Sequence, residues 1–181
     1  MGQHERVSGA LSIACGPEDR PVTLRHDQVA KIPVLREMLS SSTCCGEDDR
    51  PRIPGVDADS LYFIMEMYDK QPACFAAAGE KSDEIRCLLE QGKLPDDQLK
   101  RLRDLFRTNM PLHRYYMGAA DFLGCEYIIE CLSYAAGQEL NNYDPFEYRT
   151  LFGLEGGRIS TDELREWIEA HRNPEWVVVY K

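Results

Sequence analysis

Residues 115–140 read YYMGAADFLGCEYIIECLSYAAGQEL, an apolar passage in a chain that is otherwise strongly acidic. Charge is sparse in it, and Gly124 divides it. Before the glycine, Leu112, Tyr115, Tyr116, Ala119 and Phe122 recur at helical intervals. After it, Cys125, Ile128, Ile129, Leu132, Ala136 and Leu140 form one stripe, with Tyr127 and Tyr134 on another face. The spacing predicts two successive buried helices. Apolar residues on more than one side of a helix need cover on more than one side. The fold therefore turns on what this passage packs against.

Upstream, the chain supplies the other elements in a definite order. LSIAC (11–15) and PVTLR (21–25) are strand-like runs around the turn-forming GPEDR, which predicts a hairpin. PVLREMLSS follows, with Pro33 at a natural first helical position and Val34, Leu35, Met38 and Leu39 at helical spacing. TCCGEDDRP reads as an acidic loop, and RIPGV as a short strand. Asp57 is the expected N-cap of DADSLYFIMEMYDK, a helix apolar nearly all round and so expected deep in the fold. QPACFAAAGE is a linker by composition. SDEIRCLLEQG, capped by Ser82 and stopped by Gly92, and LPDDQLKRLRDLFRTN, with Leu99, Leu102 and Phe106, each carry one narrow stripe among many charges. They predict surface helices lying over a core.

The tail carries two marked helix starts. In YDPFEYRTLFGL, Asp144 is the cap, Pro145 the first helical residue and Glu147 the capping-box partner. In ISTDELREWIEAH, Ser160 caps, Glu163 reaches back, and Ile159 faces Leu164 as a hydrophobic staple. Helices this short need something to dock on.

The whole chain of 181 residues is 43% hydrophobic and 29% charged, enough for a sizeable core. A net charge of −10 argues against nucleic acid, which needs a basic face, and against an anionic membrane surface. No apolar run reaches the roughly 20 residues of a membrane span. Arg6 stands where a myristoylation signal wants Ser or Thr. Seven cysteines without CxxC or zinc-ligand spacing read as reduced thiols, which places the protein in the cytoplasm or nucleus with no metal or other cofactor. The histidines His4, His26, His113 and His171 are isolated, and no GxSxG, HExxH or phosphate-cradling loop appears. The expectation is therefore a protein that is not an enzyme.

The order of hairpin, helix, strand, helix, acidic linker and paired buried helices resembles a BTB/POZ domain. GAADFLGCEYIIECLSYAA resembles the core helices of the Skp family, the F-box-binding adaptors of cullin-based ubiquitin ligases, which are related to elongin C. GEDDRPRIPGVDADSLYFIMEMYDKQP resembles that family's acidic loop, strand and following helix, and EYRTLFGL, STDELREW and NPEW resemble its C-terminal extension. The resemblance covers about residues 10–70 and 110–176. It departs at Gly153, where the family has Asn, at the helical stretch in 72–110, and at the apolar ending WVVVYK.

The resemblance implies an α+β fold: a BTB/POZ-type domain over residues 8–140, with a small N-terminal sheet covered by helices and a helical insert at about 80–108. A two-helix extension over 141–181 follows. It implies an adaptor in a heteromeric complex, with an F-box protein and a cullin as partners. Tyr127, Cys131, Phe152, Leu154, Leu164, Trp167, Ile168 and Trp176 are then the F-box contacts, and Asp121 and Phe122 the cullin contacts. The plainer reading makes the tail residues the packing that holds the tail, and Phe122 ordinary core. The alternative function is a BTB-type oligomerisation or assembly module unrelated to ubiquitin.

Overall fold

A computed structural model of the chain describes residues 10–41 and 51–143, together with Glu147. By internal contacts the chain divides into two compact units, Met1–Asn142 and Tyr143–Lys181. The acidic TCCGEDDRP loop and the two tail helices expected from the sequence fall largely outside the described residues.

The sheet starts as a hairpin. Strands β1 (Ala10–Cys15) and β2 (Arg20–Arg25) pair antiparallel, with Ile13 opposite Val22. Gly16 and Asp19 adopt positive φ in the turn between them. Strand β2 alternates, burying Val22 and Leu24 and exposing their neighbours, the pattern of a sheet with one face on the core. Two short helices, α1 (His26–Lys31) and α2 (Pro33–Ser41), then carry the chain back so that β3 (Arg52–Ile53) lies parallel to β1. The sheet order is β2-β1-β3.

Helix α1 has little sequence signal of its own. The Gln28 side chain accepts from the Arg25 N–H at 3.0 Å and donates to Asp69 at 3.1 Å. Lys31 donates to the Tyr68 carbonyl at 3.2 Å. Its six residues are held by the end of helix α3 (Ala58–Asp69), some forty residues away in sequence, and no local pattern announces that. Helix α3 starts as expected, with the Ser60 N–H donating to the Asp57 carboxylate at 2.6 Å. Leu61 and Ile64 have no exposure, and Phe63, Met65, Met67 and Tyr68 are buried beside them.

Two expectations fail in the next stretch. QPACFAAAGE is not merely a linker: Ala73–Ala78 form helix α4, whose Phe75 is fully buried. One phenylalanine among alanines gives no stripe, so composition alone reads as a connection. Ser82 does not cap helix α5 (Ser82–Glu90); the cap position is Lys81, and the Ser82 hydroxyl donates to Glu126 at 2.9 Å. Gly92 does follow the helix end, at φ +66°.

Helix α6 (Asp96–Thr108) buries Leu102 and Phe106. Ion pairs tie both surface helices down: Arg86 of α5 meets Glu130 through two hydrogen bonds of 2.8 and 2.7 Å, and Arg103 of α6 reaches Glu139 at 3.0 Å. Gln98 donates to the Lys70 carbonyl at 2.7 Å, and Arg101 grips Glu66 with both of its terminal nitrogens. The apolar passage forms α7 (Met110–Phe122) and α8 (Glu126–Leu140), broken at Gly124 as its position predicts. Gly124 has φ +69°, a conformation that a side chain would strain, and Pro33 lies 3.5 Å from where its Cβ would stand. The described residues thus make a mixed α+β structure, mostly helical, with eight helices and one three-stranded sheet. Among them no helix is long and apolar enough to cross a membrane.

Candidate protein-interaction surface

Helix α8 is covered by its own chain. Tyr127 and Cys131, which the resemblance assigns to the F-box surface, have no exposure. The Tyr127 ring lies 5.4 Å from Phe75 of α4 and 5.8 Å from Tyr68 of α3, centroid to centroid. These two residues are core in this unit and are removed from the candidate surface; the cover comes from the helix that composition concealed. Burial pushes both the Cys125 and Cys131 thiols up to about 12, the state of packed rather than reactive cysteines. Phe152, Leu154, Leu164, Trp167, Ile168 and Trp176 lie outside the described residues.

A partly buried carboxylate fixes the start of α8. Glu80 accepts from the Tyr68 hydroxyl at 2.6 Å and from the Tyr127 N–H at 2.9 Å. The second bond satisfies one of the four amide groups that a helix N-terminus leaves free, and places an acid at its positive end. Burial raises the Glu80 carboxyl above its ordinary range, and the two hydrogen bonds only partly offset that. The sequence gives no hint of this cap, because Glu80 and Tyr127 are 47 positions apart.

Helix α7 is different. Its inner side is packed: Ala119 and Ala120 are buried, and Tyr116 stacks on Phe63 of α3 with centroids 4.1 Å apart. Its outer side carries two of the three large hydrophobic residues exposed among those described, Tyr115 at 52% and Phe122 at 51%; the third is Tyr62 of α3. Asp121 is exposed beside Phe122. Both rings have supports. The Phe122 ring lies over Gly55 in the turn between β3 and α3, where an added Cβ would sit 3.4 Å from the ring. The Tyr115 hydroxyl is close enough to the Asp57 carboxylate to be raised above its ordinary value by it. Burial raises the Asp57 carboxyl, but the Ser60 N–H, the Tyr115 hydroxyl and its other hydrogen bonds outweigh that and leave it below its ordinary value.

Asp121 and Phe122 thus stand where a partner can reach them, and Phe122 is half-exposed rather than ordinary core. Tyr62 and Tyr115 were not singled out by the sequence, because a helical stripe assigns aromatic residues to the core by default. What distinguishes them is that the apolar positions of α3 and α7 outnumber those one buried side can take.

Among the described residues, clefts also lie elsewhere. One of about 470 Å³ is bordered by α6 and Glu139, and its Arg103 and Arg107 are already paired, with Glu139 and Asp104. Another, of about 350 Å³, lies between α4 and α5 and carries the exposed thiols of Cys74 and Cys87. Among the described residues, no group of three or more His, Cys, Asp and Glu is placed to hold a metal ion. Comparison with protein-family models and with curated proteins found no match to this chain.

Proposed function

We propose that the chain is a non-enzymatic adaptor of a cullin-type ubiquitin ligase, a divergent relative of the Skp family built on a BTB/POZ-type domain. The carrying observation is the outer face of α7. Asp121 and Phe122, the pair that the resemblance assigns to the cullin, are both exposed, and Phe122 rests on the turn between β3 and α3. The element order agrees with this reading: a hairpin, a helical return, a third strand parallel to the first, and a central helix buried by its own unit. An exposed aromatic ring on a rigid helix is the kind of anchor that dominates protein interfaces. The F-box protein is assigned to residues of the tail, in which Trp167 and Trp176 are the leading candidates.

Affinity purification of the tagged full-length protein from its own cells, followed by mass spectrometry of the eluate, tests the reading. A cullin and F-box proteins are expected together. Phe122→Lys is expected to lose the cullin and keep the F-box proteins, whereas Trp167→Ala with Trp176→Ala should do the reverse. Recovery of neither class, with a defined homodimer in light scattering, would replace the adaptor by a BTB-type assembly module.

A further inference from the structure

Among the described residues, the cysteines fall into two groups. Cys15, Cys125 and Cys131 are buried, whereas Cys74 and Cys87 are exposed. Both exposed thiols border the same cleft, of about 350 Å³, between α4 and α5. Cys74, Ala77 and Ala78 line it from α4, and Glu84, Cys87 and Leu88 from α5. Within each set the spacing is three and four residues, so each is one face of its helix.

The connection between the helices brings the two thiols together. Helix α4 ends at Ala78 and α5 begins at Ser82, which leaves Gly79, Glu80 and Lys81 to join them. Gly79 takes φ +65°, a conformation that a side chain would strain, and its N–H donates to the Phe75 carbonyl. A link this short joins helices that run back along each other. Cys74 stands six residues before Glu80, the middle of the link, and Cys87 seven after it. Positions nearly equidistant from such a turn come level with one another, and the alanines of α4 permit close approach. Helices packed about 8–10 Å apart carry facing Cα atoms within the roughly 7 Å that a disulfide can span. Each helix is anchored on its other side, α4 by Phe75 against Tyr127 and α5 by the buried Ile85 and Leu89. The Gln91 amide donates to the Cys87 sulfur at 3.0 Å.

We propose that Cys74 and Cys87 form a redox-responsive dithiol, which exchange with glutathione disulfide closes into a reversible bridge across the cleft. One cysteine thiolate attacks a sulfur of glutathione disulfide; the S–S bond breaks, a mixed disulfide forms and one glutathione thiolate leaves. The second cysteine thiolate attacks the protein-side sulfur of that mixed disulfide and releases the other glutathione. The cysteine pair loses two electrons, one glutathione disulfide gains them, and the two thiol protons pass through water to the two glutathiones. The bridge ties α5 to the helix whose Phe75 covers Tyr127, so oxidation tightens the enclosure of α8. It does not depend on the adaptor reading.

The test equilibrates the full-length protein at stepped ratios of reduced to oxidised glutathione, blocks the remaining thiols with N-ethylmaleimide and maps the links by mass spectrometry. Trypsin cuts after Lys70, Lys81, Arg86 and Lys93, which leaves Cys74 on peptide 71–81 and Cys87 on peptide 87–93. A linked pair of these two peptides is expected to grow with the oxidised fraction and to vanish with dithiothreitol. The folded protein should form it at a value of [GSH]²/[GSSG] at least about tenfold higher than protein unfolded in urea, because the fold holds the thiols together. Oxidation should also raise the unfolding temperature by several degrees. Cys74→Ser and Cys87→Ser should each stop at a mixed disulfide with glutathione on the remaining thiol and lose that rise. Any of three results overturns the pair: wild type carrying glutathione on both thiols with no link, links from Cys74 or Cys87 to other cysteines instead, or equal linkage in urea.

Discussion

Helices α7 and α8 come from one apolar passage and end differently. Helix α8 is enclosed by α3, α4 and α5, with Tyr127 and Cys131 at no exposure. Helix α7 buries one side against α3 and leaves Tyr115, Gly118 and Phe122 exposed on the other. The difference lies in what the rest of the chain brings to each. Four residues reach α8 from the stretch 75–86: Phe75 packs a tilted ring on its Tyr127, Glu80 caps it, Ser82 bonds its first residue and Arg86 pairs with Glu130. Nothing among the described residues does the same for the outer side of α7. The same hydrophobic signal thus yields core in one helix and exposed aromatic rings in the other.

The largest test of that contrast is Phe75→Ala. Removing a fully buried ring that fills the space over Tyr127 should cost about 3–5 kcal/mol, read from urea unfolding. A loss below about 1 kcal/mol would mean that α4 is not part of the core that encloses α8. Glu80→Ala comes next. It strands the Tyr68 hydroxyl and the Tyr127 N–H in buried surroundings, for an expected loss of about 1–3 kcal/mol. No loss would move the cap of α8 elsewhere.

One buried group, His113, and one partly buried group, Glu80, give the contrast a pH signature. The His113 Nε2 atom faces the Leu132 carbonyl at 3.2 Å, the Phe106 ring meets the imidazole edge-on, and Nδ1 has no hydrogen-bond partner among the described residues. Burial holds this histidine below its ordinary 6.5, and the Leu132 carbonyl offsets that only in part. As the pH falls through 6.5, the unfolded chain takes up a proton that the folded chain refuses, so stability falls. His113→Leu should flatten that acid-side slope in denaturant titrations between about pH 7 and pH 5, and an unchanged slope would place the titration on another group. Glu80 works in the opposite sense. Its carboxyl is raised above 4.5, so its titration favours the fold fully below 4.5, and that stability is lost as the pH rises through the raised value. The smallest expected effect is Phe122→Lys, which should leave unfolding within about 0.5 kcal/mol of wild type because the ring is half in solvent. A loss several times larger would make Phe122 a core residue and remove it from the docking face.

Much of this was legible in the residues. Hairpin turn, Asp57 cap and Gly124 break are local signals, each decided by neighbours within about four positions, and the structure has all three. Asp121 and Phe122 were singled out and are exposed. The failures share one cause. Helix α1 depends on Asp69 and Tyr68, helix α4 on Tyr127, and the α8 cap on Glu80, all partners 37 or more residues distant. Ser82 has the residue type of a cap and spends its hydroxyl on Glu126, 44 positions away.

By itself the sequence determined which segments form helices and strands wherever a stripe, a cap or a turn residue marks them, and it determined that residues 115–140 hold more apolar surface than one packed side can take. Only the tertiary structure decided where the surplus goes. Periodicity reports that a helix has two apolar sides, but whether the second is buried depends on which distant helix reaches it. That is settled by long-range packing, here by Phe75 and Glu80 over α8, and by no counterpart among the described residues over the outer side of α7.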